Sequence, residues 1–385
     1  MLGALSSLIG VLYALAEHDI KALLANHSIE NIGIILLAIG MGMIFWALKL
    51  PMLSSFAFLA ALYHIFNHMS FKSLLFLSAG SVLHQTHTKN IERYGGLIKS
   101  MPVTAWSFLL AALSISALPP TNGFLSEWMI FQSLLGSSAI ANMALKISLP
   151  FAVFALALTG GLAIACFVKA FGITFLGLHR SANAKHATEV NAFMRTGMLL
   201  MGGVVIGLML FAPWFLSHFD AALASFGLPS ISQKILFSWS IHSIAHNGGV
   251  VSPLFLLAML IFFTVGLLLL SKRLRIRTRI FHTWACGYRT TPRTQYSATG
   301  FAGPIRRFFE WLYRPDVHFH KKTLAGHTTK FSTALYDVHI RPLFERSLYD
   351  GMMGPKSCSI DSATSSIASP ISSKTDTLPS SSTSR

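Results

Sequence analysis

Apolar positions in this chain fall into long unbroken blocks rather than the one-face rhythm of a soluble helix. The blocks cover 2–16, 29–48, 52–84, 103–135, 146–178, 197–216 and 250–270, with short polar stretches between them. A helix needs about 20 apolar residues to cross a bilayer. The pattern predicts an all-α, polytopic membrane fold with about seven transmembrane helices, one for each block long enough to be counted. The first block is short for a full crossing. The blocks at 52–84, 103–135 and 146–178 are too long for a straight one, so each must tilt, project or break. Pro119 and Pro120 lie inside 103–135 and predict one discontinuous helix there. Broken backbone at membrane depth is tolerated where protein packs it or where it lines a wet cavity.

Composition agrees with the blocks. The chain is 53% hydrophobic and 11% charged, where a soluble domain carries about 25% charge. The net charge of +16 sits mainly in loops and the tail, so it does not mark a nucleic-acid binder. Lys21, Lys89, Arg93, Lys99, Arg180, Lys185, Arg195, Lys272, Arg273, Arg275, Arg277 and Arg279 fall on one side of the predicted crossings. Lys49, Lys146 and Lys234 fall on the other. The richer side is the cytoplasmic one. This predicts a multi-pass protein of the inner (plasma) membrane, with its N-terminus outside and its C-terminus inside. The N-terminus lacks a basic region and cleavage site, so no secretory signal is expected. It opens directly into apolar sequence, as the middle of a larger protein would.

The expected division is a transmembrane domain at 1–271, a basic cytoplasmic extension at 272–350 and a Ser/Thr-rich tail at 351–385. Helices are expected in the extension at 304–313 and 330–350. More than half of residues 357–385 are serine or threonine, which predicts disorder.

The candidate chemistry lies inside the apolar blocks. His64, Asn67, His68 and Lys72 share one of them, and spacings of four place His64, His68 and Lys72 on one slowly drifting helix face. An ionisable group at the bilayer centre costs about 2.5–3.5 kcal/mol on insertion scales. Histidine titrates near neutral pH and passes protons, so the set reads as a polar wire. A single histidine reads equally well as a buried residue bonded to a neighbouring helix. His at i and i+4 suits a metal, but Ile65 stands where the metalloprotease pattern needs Glu. Glu127 re-enters apolar sequence just past the proline pair and suits proton loading and release; the alternative is a glutamate snorkelling at a helix end. Lys21, with Glu17, Asp19 and Glu30 nearby, reads as a path residue or an ordinary positive-inside anchor. Lys169 reads as a path residue or a lysine snorkelling toward the cytoplasm. Gly33, Gly40 and Gly42 read as close-packing positions. Cys166, Cys286 and Cys358 give neither a paired framework nor metal spacing. There is no nucleotide-binding glycine loop, haem attachment site, iron–sulfur spacing or nucleophile elbow. The chain is therefore expected to carry no cofactor, no metal and no catalytic residue of its own.

The segments DIKALLANHSIENIGIILLAIG, ALYHIFNHMSFKSLLFLSAGSV and IERYGGLIKSMPVTAWSFLLAALSISALPPTNGFLSEWMIFQ resemble the antiporter-like subunits of respiratory complex I. HSIENIG and ALPPTNGFLSEW, together with TWACGYRTTPRTQYSATGFAGPIRRFFEWLYRP, resemble the hydrogenase-4/formate hydrogenlyase branch of that family. The resemblance implies two inverted five-helix repeats, each a proton half-channel with one discontinuous helix. This chain resembles the second repeat plus the tail. Glu127 then takes the terminal carrier position, His64, His68 and Lys72 the central polar positions, and Lys21 the lysine of the DIK segment.

The function this implies is a membrane subunit that contributes a proton half-channel to a hydrogenase-4, formate hydrogenlyase or complex-I-like oxidoreductase. A cation/proton antiporter subunit of the Mrp type is the alternative. A non-transporting anchor or truncated remnant is another. The implied partners are other membrane subunits, the lipid bilayer and a separate chain supplying the first repeat, with no nucleic acid.

Overall fold

The computed structural model describes residues 1–136, 140, 142–237, 239–244, 248–274, 286–287, 290–313, 316–323 and 332–339. The chain is mostly helical. The helices α1 (Leu2–Ala16) and α2 (Ile20–Ala47) form an antiparallel hairpin. Asp19 caps α2, its carboxylate accepting from Lys21 N at 2.8 Å and Ala22 N at 3.3 Å. The two backbones touch at glycines. A Cβ on Gly33 would lie 2.5 Å from Ser7 N, and one on Gly10 would lie 2.6 Å from Glu30 N. Gly33 thus serves close packing as expected. Gly40 faces open space instead, and Gly42 faces only the Phe58 ring.

Helix α3 (Pro51–Thr86) is a single helix of 36 residues with proline in its first turn. It packs against α2 and against the broken pair α4 (Pro102–Ile115) and α5 (Asn122–Gly136). The expected discontinuity is there, and its connector holds Pro119–Pro120 in cis. Gly123 makes the return possible, because a Cβ at this position would lie 1.9 Å from Ser114 O.

Helix α6 (Met143–Phe175) runs unbroken for 33 residues and packs against α1. After it come α7 (Ala182–His186), α8 (Ala192–Leu210) and α9 (Ala212–Ala224). The expected helix at 197–216 is therefore divided, with Pro213 in the first turn of the second piece. A short turn of helix, α10 (Ser232–Ile235), leads into three antiparallel strands: β1 (Leu236–Phe237), β2 (Ser240–His242) and β3 (Val250–Val251). Helix α11 (Pro253–Arg273) follows; it touches α8 and the core near its start, through Leu256, and most of its apolar length is exposed among the described residues. By length and apolarity, four described helices qualify for a crossing: α2, α6, α8 and α11. α1 and α4 are apolar but shorter. α3 is long enough; its polar side chains lower its hydropathy.

Beyond α11 lie α12 (Ala298–Phe308) and α13 (Glu310–Tyr313). The expected helix at 304–313 therefore starts earlier, where Ser297 caps it through Gly300 N at 3.0 Å, and it is interrupted at Phe309. The helix expected at 330–350 is not formed over Ser332–His339. That segment is strand β5, paired antiparallel with β4 (Asp316–Thr323) in the register Val317↔Val338 and Phe319↔Tyr336. Thr333, Tyr336 and Val338 there are of the residue types enriched in strands. The all-α expectation thus holds for the bulk of the chain, with five short strands among the described residues. The tail at 351–385 lies outside the described residues.

The loops at one end of the helices are tied together. Ile20 N donates to Lys89 O at 3.0 Å, Ile91 N to His18 O at 2.9 Å, and Arg180 N to Tyr94 O at 3.0 Å. The segment before α12 closes this end. Gln295 accepts from Leu178 N at 2.6 Å and donates to Leu178 O at 3.2 Å, and Thr299 N donates to Glu92 Oε1 at 2.7 Å. At the opposite end Ser55 Oγ donates to Pro229 O at 2.9 Å, and Gly249 N to Gln132 Oε1 at 3.2 Å.

Candidate functional site

The middle of α3 turns its polar side chains inward. His64 and Asn67 are fully buried, Lys72 is 6% exposed and His68 is half-buried. The exposed side of the same stretch is apolar: Ile65, Phe66, Met69, Phe76 and Leu77. The sequence face predicted for the wire is therefore the protein-facing one.

An amide and hydroxyl network joins this face to the start of α5. Asn67 Nδ2 donates to Asn122 O at 2.9 Å and to Ser126 Oγ at 3.0 Å. Asn122 Nδ2 returns bonds to Asn67 Oδ1 and Ser70 Oγ, both at 3.2 Å. His64 Nδ1 shares a hydrogen bond of 2.9 Å with Ser126 Oγ. These bonds fix the first turn of the half-helix that carries Glu127. The break needs such partners, since freed backbone groups in an apolar setting must be satisfied.

Lys72 Nζ donates to Leu24 O on α2. Its charge acts on His68 along α3 and on His27 and Glu30 across the helix interface. His68 in turn acts on His64. Glu127 is 6% exposed and lines a cavity of about 440 Å³ bounded by Phe124, Trp128, Leu156, Gly160 and Gly161. Glu30 on α2 lies within electrostatic range of it. The structure thus brings His64, His68 and Lys72 onto one face of α3, and Asn122 and Ser126 join that face to the half-helix that carries Glu127.

Lys21 is not part of this line. It is exposed at the first turn of α2, beside the Asp19 cap. Lys169 does not snorkel. It is 1% exposed, and its Nζ donates to Leu15 O at 2.5 Å and Glu17 O at 2.8 Å. An ammonium on the last carbonyls of a helix is a favourable pairing of charge and dipole. In the adjoining loop, burial pushes the Glu17 carboxyl above its usual range, with Lys169 opposing.

Two functional candidates were not legible as such from the chain. His27 and Glu30, both buried on α2, are hydrogen-bonded through Nδ1 and Oε2. The available signal was their spacing of three inside an apolar block, which places them on one helix face. His64 Nε2, His68 Nε2 and Asn31 Oδ1 have no hydrogen-bond partner among the described residues. Buried polar atoms are ordinarily bonded. Among the described residues, no group of three His, Cys, Asp or Glu side chains is placed to share a metal ion.

Comparison with known proteins places this arrangement in context. Residues 1–151 match the NADH:quinone oxidoreductase/Mrp antiporter transmembrane family. Hydrogenase-4 component B of Escherichia coli K12 is 41% identical over 319 residues, covering 81% of this chain and 47% of that protein. Formate hydrogenlyase subunit 3 of the same strain is 36% identical over 315 residues, covering 80% and 49%. The chain spans about half the length of these relatives. In fold it is similar to a chain of the membrane-bound sulfane sulfur reductase, an archaeal respiratory membrane complex. That similarity has a TM-score of 0.56 at 20% identity, over 80% of this chain and 47% of that one.

Proposed function

Because residues 1–151 belong to the NADH:quinone oxidoreductase/Mrp antiporter transmembrane family, we propose that this chain is a proton-translocating membrane subunit of a hydrogenase-4, formate hydrogenlyase or related complex-I-like assembly. The observation that carries the reading is the buried line His64–His68–Lys72 on α3, facing a broken helix that presents Glu127. Ionisable groups at this depth are expensive and mark ion and proton pathways. Imidazoles accept a proton on one nitrogen and release one from the other. Lys72, held on a single carbonyl in a nearly dry site, exchanges a proton with the carboxylate across the interface. Glu127, at its cavity, delivers or collects the proton at the far end. Lys21 is the entry-side charge in this scheme.

The same reading takes 1–271 as the membrane domain and 272–350 as a cytoplasmic extension. It counts the broken pair α4–α5 as one of seven crossings and places the N-terminus outside and the C-terminus in the cytoplasm. The clustering of Lys21, Lys89, Arg93, Arg180 and Lys185 in loops tied to one another supports that orientation. The partners are other membrane subunits and the chain that supplies the first repeat. A cation/proton antiporter would use the same polar residues. The match to hydrogenase-4 component B over 319 residues, well past the shared domain, favours the oxidoreductase assembly.

The test is Lys72→Met in the complex that contains this chain, isolated and reconstituted in proteoliposomes. Electron transfer continues and the complex stays assembled, but protons moved per electron fall. An unchanged proton yield would remove Lys72 from the path and the reading with it.

A further inference from the structure

Helix α2 carries a second pair of ionisable side chains at membrane depth. His27 is fully buried and Glu30 is 1% exposed. They are three residues apart on one face, and His27 Nδ1 is hydrogen-bonded to Glu30 Oε2. The imidazole lies against the Phe167 ring of α6, with centroids 4.6 Å apart and planes tilted by 31°. With Nδ1 committed to the carboxyl, Nε2 is directed away from it, and the Cys166 thiol of α6 is a side-chain hydrogen-bond neighbour of the ring.

The neighbours of the pair come from three helices. Lys72 of α3 donates to Leu24 O, one turn before His27, and Cys166 and Lys169 of α6 flank the Phe167 that faces the imidazole; all three lie within electrostatic range of His27. Glu30 lies within electrostatic range of Lys72 and of Glu127 on α5. A buried pair of this kind is poor evidence of a stabilising role, because well-packed apolar residues of similar volume serve stability as well or better. Its chemistry is more specific. An imidazole with one nitrogen on a carboxyl takes a proton at one edge and gives one up at the other.

We propose that His27 and Glu30 form a proton relay joining Lys72 on α3 to Lys169 on α6. The inference rests on the proposed translocating function and adds a link that α3 alone does not supply. The ammonium of Lys72 gives its proton to the Glu30 carboxylate. The carboxyl proton then passes to His27 Nδ1, leaving a carboxylate beside an imidazolium. The Nε2 proton leaves toward the neutral amine of Lys169, which becomes the ammonium seated on Leu15 O and Glu17 O. The imidazole is neutral again as the other tautomer. Lys169 then stands next to Glu17 and the loop end of the molecule.

The experiment uses the whole complex in proteoliposomes and reads protons moved per electron for His27→Gln, Glu30→Gln, Glu30→Asp and Lys72→Met. His27→Gln keeps an amide that bonds Glu30 but cannot relay. Both Gln variants are expected to assemble and to lose proton yield toward the Lys72→Met level, with Glu30→Asp recovering part of it. Wild-type yield in both Gln variants, with Lys72→Met impaired, would overturn the relay and leave the general function standing. Wild-type yield in Lys72→Met as well would overturn the general function. Equal loss in Glu30→Asp and Glu30→Gln would mark the pair as packing and also overturn the relay. If His27→Gln does not assemble, the isosteric Glu30→Gln decides alone: loss supports the relay and normal yield refutes it.

Discussion

At the scale of single residues, a polar side chain can hold the fold and also stand where chemistry is proposed. Lys169 does both, its ammonium making two charge-assisted bonds to the end of α1 in the resting structure. A hydrogen bond to a charged group contributes about 1.5–3 kcal/mol. Lys169→Met is therefore expected to lower stability by about that amount, read as a fall in the thermal midpoint of the detergent-solubilised complex. An unchanged midpoint would show that the ammonium does not cap α1. His64, His68, Lys72 and Glu127 were legible in the sequence because each interrupts an apolar block. Their inward orientation was legible too, since the intervening Ile65, Phe66 and Met69 supply an apolar face for lipid. His27 and Glu30 were less visible. Glu30 reads as one of a group of charges around the DIK segment, and only three-dimensional packing separates it from exposed Lys21. The burial of Lys169 was equally hidden, because a long lysine side chain near a helix end reaches water or a carbonyl with the same sequence.

At the scale of elements, the discontinuous helix is the feature on which the site depends. Its position follows from Pro119–Pro120, but its closure follows from Gly123, where a side chain would collide with Ser114 O. Gly123→Ala is expected to cost about 1–3 kcal/mol through overpacking and to displace Glu127 from its cavity. The measurement is assembly yield together with thermal stability of the complex. Normal values for both would mean that the connector adapts at no cost. The bonds from Asn67 to Asn122 and Ser126 explain why such a break survives in an apolar setting. What the pattern of apolar blocks misjudged also has local causes. Pro213 ends the expected helix at 197–216 after Leu210, because proline cannot continue the ladder of hydrogen bonds. The strand at Ser332–His339 forms by pairing with residues outside its own window, which no local helical propensity anticipates.

At the scale of the whole molecule, three helices meet around one set of buried ionisable groups: α3 with the histidines and Lys72, α2 with His27 and Glu30, and the broken α4–α5 pair with Glu127. Helix α6 closes the set with Lys169 and forms part of the wall of the cavity beside Glu127. Stability alone does not call for such a constellation, because well-packed apolar side chains of similar volume often serve it as well. The segment before α12, fastened through Gln295 and Thr299, closes the end of the molecule where Glu17 lies, so that end is ordered rather than open. The central claim is that protons cross by way of Glu127, and the most direct test is the proton-to-electron stoichiometry of the reconstituted complex carrying Glu127→Gln. This substitution keeps the size of the side chain and removes its charge cycle. The account predicts continued assembly with a sharply reduced proton yield per electron; a stoichiometry equal to that of the unaltered complex would contradict it.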